Sequence, residues 1–448
     1  MIRKKHFRLS EAAILMLPPF AAAGSYLLPL EVGGVVLFGY RLLVLLLFLY
    51  LLLTGRAIRK LRSKTEKFFV MVGFVWVAWG MCSVLWSCLL WGASPLRSLR
   101  EIIDVSFGLL SCLTLTKFLE GDPRKANILR MGWVLAFLVT GAVALWEINS
   151  GNHLPGYATE GLELEAAVYS TLGNPNNYAA FLALSFPFLL WSVRISNGYR
   201  KIVFATLLGS LPILMVLAAG RLAMLALILE IFLFAVLQIL RPVRNWRVVF
   251  AIAGLILCLL LAVGWYQPTA VKYARLFEEF DSGGSAYLRF NVYRDGLRFL
   301  WMSYGTGIGP ANFQHLMITG LAPYGAEGLV DPHNFWLEVA SQYGLIVFGF
   351  LLTWFGLAAS SAWRARSLAL RYPSIELESA SESVLLGLAG YVLVAAENSA
   401  YIPQSTNWLF IGSLLSLAGW FDCATYRTVT SVRRLAGYSD GSSFRGST

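Results

Sequence analysis

Ile202-Val-Phe-Ala-Thr-Leu-Leu-Gly-Ser-Leu-Pro-Ile-Leu-Met-Val-Leu-Ala-Ala-Gly-Arg221-Leu-Ala-Met-Leu-Ala-Leu-Ile-Leu-Glu230-Ile-Phe-Leu-Phe-Ala-Val-Leu-Gln-Ile-Leu240 carries two charged side chains in 39 residues. A spanning helix needs about 20 mostly apolar residues. The stretch is long enough for two, 202–219 and 222–240, meeting at Ala-Ala-Gly-Arg221. A hairpin of that kind has no place on a water-soluble fold. It sets the expectation for the rest of the chain.

The composition agrees. The chain has 448 residues, 57% hydrophobic and 14% charged, against about 25% charged for soluble domains. These values exclude a disordered chain, a disulfide scaffold and a cytosolic enzyme. Cys82, Cys88, Cys112, Cys258 and Cys423 lie in apolar stretches, odd in number and without metal-ligand spacing, so they read as buried small hydrophobes. Twelve spans are expected, at about 11–30, 33–54, 68–92, 100–118, 129–148, 177–194, 202–219, 222–240, 249–266, 343–363, 384–402 and 407–424. The first follows Arg3, Lys4, Lys5 and Arg8 as a signal peptide would, but Pro18-Pro19 and the later spans favour an uncleaved anchor. The fold class is therefore an all-α polytopic membrane protein. Helices one to nine fall in 1–266, a large extracytoplasmic loop with short helices in 267–342, helices ten to twelve in 343–424, and a cytoplasmic tail in 425–448.

Placing the N-terminus in the cytoplasm puts 27 of the 36 Lys and Arg residues on inner segments. That follows the positive-inside rule and explains most of the +11 charge without nucleic acid. The nine exceptions are Arg41, Arg97, Arg100, Arg221, Lys272, Arg275, Arg289, Arg294 and Arg298. Arginine grips phosphate in a forked geometry, so arginines on the outer side suggest an anionic ligand.

Individual residues admit two readings. Arg221 at the start of a helix is either an anion ligand, helped by free backbone N–H groups, or a snorkelling interfacial side chain. The stretch Tyr287 to Trp301 has helical apolar spacing and bears Arg289, Arg294 and Arg298. It is either a ligand-binding face or a basic helix at lipid headgroups. Asp331-Pro332-His333 places Asp331 as an N-cap, Pro332 at the first helical position and His333 in the first turn. The helix dipole there would keep the imidazole neutral and able to accept a proton. Gly173-Asn174-Pro175-Asn176-Asn177 opens a helix; its amides either cap it or meet glycan hydroxyls. Tyr304-Gly-Thr-Gly-Ile-Gly-Pro310 looks like a phosphate loop but follows no strand, so a nucleotide is not expected. Glu230 and Glu397 lie inside spans, where acids are functional candidates. No metal is expected. Asp331, His333 and Glu338 are the one tempting set, and Glu338 falls on a different helix face.

Taken together, Pro332-His333-Asn334-Phe-Trp-Leu-Glu-Val-Ala-Ser-Gln-Tyr-Gly344, Arg289-Phe-Asn-Val-Tyr-Arg-Asp-Gly-Leu297, Gly305-Thr-Gly-Ile-Gly-Pro-Ala-Asn-Phe313, Gly173 to Asn177 and the Arg221 hairpin resemble the O-antigen ligase/polymerase superfamily. The motifs cover about 170–350 and the topology the whole chain. The resemblance implies a GT-C-like membrane enzyme of the bacterial inner membrane, with its site facing outward. It would transfer a glycan from a polyprenyl-diphosphate carrier to a glycan or lipid-glycan acceptor, with inversion and without a cofactor. It also implies that Arg221 and Arg289 bind the diphosphate and that His333 assists the acceptor hydroxyl. Arg294, Asn334, Asn174 and Asn177 are the expected substrate-binding residues. Gly220 stands where a Ser often precedes the hairpin Arg, and Gln342 where an acid is common, which leaves the subfamily open. So is the choice between ligase and polymerase. A lipid-linked oligosaccharide flippase or other twelve-helix transporter is the rival. A non-catalytic assembly factor is a third reading.

Overall fold

A computed structural model describes residues 9–24, 30–32, 35–57, 61, 63–154, 167–241, 254, 285–324, 330–396 and 401–435. Among them the chain forms thirteen α-helices and one short hairpin. The order is α1 (Leu9–Ala23), β1 (Leu30–Val32), β2 (Val35–Leu37), α2 (Gly39–Leu53), α3 (Lys64–Trp91), α4 (Pro95–Leu119), α5 (Pro123–Ser150), α6 (Pro175–Ile195), α7 (Gly198–Ala218), α8 (Arg221–Ile239), α9 (Ser285–Met302), α10 (Asn312–Ile318), α11 (Phe335–Arg371), α12 (Ile375–Val394) and α13 (Ser405–Leu435). β1 and β2 pair antiparallel. Among the described residues nine helices are long and apolar enough to cross a membrane: α3 to α8, α11, α12 and the Ser405–Tyr426 part of α13.

Local chemistry sets the helix starts. Ser63 and Glu66 form a capping box at α3. Asp122 accepts from the Arg124 N–H ahead of α5, with Pro123 at the first position. Asn174 and Pro175 do the same for α6, and Ser374 caps α12. Such caps satisfy backbone donors that the helix leaves open.

Several sequence expectations change. α1 and α2 are real but only 15 residues long, short of a full crossing. The expected span 249–266, the loop segment 267–284 with Lys272 and Arg275, Glu397, and the tail beyond 435 lie outside the described residues. α4 starts at Pro95, not at 100, so Arg97 and Arg100 are helical. The helix placed at 343–363 begins at Phe335, with a break at Gly344, which adopts φ 78° and ψ 175°. Hydropathy located the long arm after the break and missed the short polar arm before it. α13 likewise runs past 425 to Leu435.

The bundle has two chemically distinct ends. At the basic end Arg194 bonds Glu382 and lies 3.4 Å from Glu378, Arg241 bonds Glu378, and Arg366 bonds Glu382 at 3.0 Å. The cluster ties α6, α8, α11 and α12 together. It also fixes register: Gln238 donates to Glu382 at 3.2 Å, and Glu230 faces Gly390. α8 therefore runs antiparallel to α12, and Arg221 emerges at the end where α12 finishes. At this loop end the Phe335 N–H donates to the Ala395 carbonyl at 2.7 Å. The α3–α4 hairpin projects past it, since the mid-helix residue Gly108 of α4 already meets Trp408 near the start of α13. The projecting part carries α9 and α10: the Ser98 hydroxyl donates to Pro310 O at 2.8 Å, and His315 Nε2 meets Trp91 O at 2.9 Å.

Candidate active site at the loop end

His333 is not in a first helical turn. The N-cap is Asn334, whose side chain accepts the Leu337 N–H at 3.1 Å, and α11 starts one residue later. Asp331, expected to cap, instead accepts from the Gln314 amide. His333 precedes the cap at φ 46°, a left-handed conformation that costs a non-glycine residue on the order of 1–3 kcal/mol. The backbone there is over-determined by its surroundings: the capped helix on one side, and on the other the Asp331 side chain held by α10.

The imidazole is neutral for a different reason from the one its sequence position suggested. Burial, and then the positive charge of Arg289, lower its pKa to about 4, against an opposing pull from Asp331. Arg289 is thus within electrostatic reach of His333. α9 docks on α11 at Gly296, where an added Cβ would lie 2.6 Å from Leu337. The Tyr293 hydroxyl donates to Ala396 O at 3.0 Å. These contacts bring the Arg289 edge of α9 beside the start of α11. Arg294 lies on the exposed side, its guanidinium 3.6 Å from the Tyr324 ring centre.

The glycine-rich stretch has a structural job. Ile308 and Gly309 N–H groups donate to Ser341 and Gln342 carbonyls, each at 2.9 Å, and Leu345 N–H donates to Gly305 O at 2.8 Å. The stretch clasps the backbone that the break at Gly344 exposes. A Cβ at Gly307 would lie 2.4 Å from Gln342 O, so only glycine allows the approach. Below the clasp the Tyr343 hydroxyl donates to Glu101 at 2.8 Å. Glu338 is buried with one carboxylate oxygen unpartnered.

Arg221, Asn174 and Asn177 stand at the same end on a separate group of elements, the α7–α8 tip and the start of α6. Arg221 is half-buried at the first position of α8. Asn174 accepts the Asn176 N–H at 2.8 Å, so it caps its helix, as Asn334 does. The Asn177 side-chain carbonyl is buried without a hydrogen-bond partner. Arg41, another outer exception, pairs with Asp104 at 2.5 Å. Glu230 is fully buried in α8 with both oxygens unpartnered.

Two groups escaped the sequence reading. Asp295 on α9 is buried. Burial raises its pKa, opposed first by a hydrogen bond from the Tyr324 backbone and then by the charges of Arg298 and Arg294. Glu147 near the end of α5 is the other. An acid at the negative pole of a helix is against the usual preference, and that was its legible signal. Among the described residues no three His, Cys, Asp or Glu side chains are grouped to hold a metal ion.

Residues 202–352 match the family model described as O-antigen ligase. Over those residues, about a third of the chain, the match supports the superfamily that the motifs resembled. The matched stretch runs from the Arg221 hairpin through α9 and the glycine clasp to the long arm of α11. A search of curated proteins finds no match.

Proposed function

We propose that this protein is a membrane glycosyltransferase. It moves a glycan from a polyprenyl-diphosphate carrier to an acceptor hydroxyl, in the assembly of a cell-envelope polysaccharide such as a lipopolysaccharide or exopolysaccharide. The observation that carries the reading is the neutral His333 imidazole beside Arg289, in a domain of the O-antigen ligase superfamily. A neutral imidazole accepts the proton of the attacking hydroxyl. The new C–O bond forms at the anomeric carbon as its bond to the diphosphate oxygen breaks. The leaving diphosphate takes up negative charge, which Arg289 and Arg221 stabilise as preorganised cations. One displacement inverts the anomeric centre. Arg294, Asn334, Asn174 and Asn177 contact the sugars or the carrier headgroup. The lysine and arginine distribution supports a site on the outer face of the bacterial cytoplasmic membrane, with 267–342 extracytoplasmic.

The rival transporter reading draws on Glu230, an unpartnered acid in mid-helix. Transfer by purified protein separates the two. A glycan joined to an acceptor, with release of polyprenyl diphosphate, supports the enzyme. Movement of intact donor across sealed vesicles without transfer overturns it.

A further inference from the structure

Glu147 lies in the last turn of α5, and its side chain is only 1% exposed. Its carboxylate is fully occupied. Oε2 accepts the backbone N–H groups of Tyr169 at 2.9 Å and Ser170 at 2.7 Å. Oε1 lies 3.2 Å from His153 Nδ1, and the His153 ring stands edge-on to Tyr169 with centres 4.4 Å apart. Ser170 adopts φ 54°, an uncommon conformation for a residue with a Cβ, and its hydroxyl donates to Thr140 O at 2.7 Å. Residues 169 and 170 are thus held by α5, while the Thr171 hydroxyl donates to Ala22 O of α1 at 2.6 Å.

Two candidate site elements hang on that segment. Along the chain, Gly173 turns at φ 71°, Asn174 caps α6, and the Asn177 side-chain carbonyl is buried without a hydrogen-bond partner. To the side, the Val168 N–H donates to Leu217 O at 3.2 Å. Leu217 is in the final turn of α7, four residues before Arg221, and Ala219 between them is itself left-handed at φ 53°. The segment that Glu147 grips therefore leads into the start of α6 and lies against the last turn of α7, four residues before Arg221.

We propose that Glu147, braced by His153, is a positioning residue for the diphosphate end of the donor. It registers the Asn174–Asn177 turn against the α7–α8 tip, so that two elements far apart in sequence form one rim. The proposal rests on the reading of Arg221 as a diphosphate ligand. Glu147 itself touches no substrate; it acts through the backbone of 168–170. Charge-assisted hydrogen bonds to a diphosphate depend on geometry, so a positioning residue is visible in affinity even when the fold survives.

Binding of geranylgeranyl diphosphate to the purified full-length protein in detergent tests it. Glu147→Met removes both acceptor oxygens at similar volume, and is expected to weaken binding about tenfold. Glu147→Gln keeps an oxygen for the two N–H groups, and is expected to stay near wild type. Val168→Cys with Leu217→Cys, oxidised in the Glu147→Met background, is expected to restore affinity, and reduction to abolish it again. That readout separates positioning from simple loss of fold, and the locked form serves if Glu147→Met alone does not accumulate. Wild-type affinity in Glu147→Met, or a formed disulfide that fails to rescue, overturns the proposal. If Arg221→Ala weakens binding while Glu147→Met does not, only the role of Glu147 falls. If Arg221→Ala also binds normally, the diphosphate assignment falls with it.

Discussion

His333 can work as a base only while its ring is neutral. The surroundings place its pKa at about 4, below the ordinary value of about 6.5. A base is lost when it is protonated, so transfer should hold through pH 6 and fall only as pH drops through about 4. Arg289→Gln removes the second cause of the depression. The acid limb of its residual activity should therefore move upward, which a pH profile of kcat/KM checks. An unmoved limb would separate Arg289 from His333. His333→Ala should abolish transfer and leave geranylgeranyl diphosphate binding intact. Arg221→Lys keeps the charge and loses the fork, and should lower kcat about 10²–10³-fold if the fork meets developing charge; full activity would mark a snorkelling side chain. At this scale the sequence was partly legible. His333 stood out because Asp331-Pro332 and Asn334 surround it. Asp331 and Asn334, three positions apart, can both cap a helix; the sequence favours Asp331, and the structure uses Asn334. The cause of neutrality, burial plus an arginine 44 positions away, has no local trace. Glu147 was missed because its partners are 22 and 23 residues downstream.

Among the elements, the clasp of 305–309 on the break of α11 is the most exacting piece of packing. Gly344 adopts φ 78°, and a Cβ there would meet Thr306 O at 2.4 Å. Gly344→Ala should destabilise the protein by on the order of 1–3 kcal/mol, read as a lower unfolding midpoint in detergent, and should lower transfer with it. Gly349→Ala is the control, because nothing lies within 4 Å of its added Cβ; equal midpoints for the two variants would contradict the clasp. The glycines were visible in the sequence as a superficial phosphate loop. Their partner was not, because the approach joins two backbones that no periodicity relates. Hydropathy alone also passed over the short arm Phe335–Tyr343, where Glu338, Ser341 and Gln342 break up the apolar run, although the capping residues before it marked a helix start.

Across the whole molecule, charge asymmetry was the clearest message. Arg194, Arg241 and Arg366 were read only as inner charges. They are also the ties of the basic end, held by Glu378 and Glu382, and burial of those acids between helices could not be read from hydropathy. The sidedness is testable in a cysteine-free background. Thr319→Cys on the loop end should react with a membrane-impermeant thiol reagent in intact cells, and Lys201→Cys at the basic end should not. The reverse pattern would turn the site toward the cytoplasm. If the loop-end arginines supply the charge that a divalent cation would otherwise bring, as proposed, transfer should also survive EDTA. Loss of activity restored by magnesium, manganese or zinc would overturn the arginine assignment. The most direct measurement joins these strands. Purified protein is given a polyprenyl-diphosphate-linked oligosaccharide and a set of glycan and lipid-glycan acceptors, and products are followed by mass spectrometry, with NMR at the new anomeric centre. The prediction is an extended acceptor with inverted linkage, free polyprenyl diphosphate in equal amount, and no product from His333→Ala. A retained configuration, or transfer undiminished in His333→Ala, would contradict the mechanism at its centre.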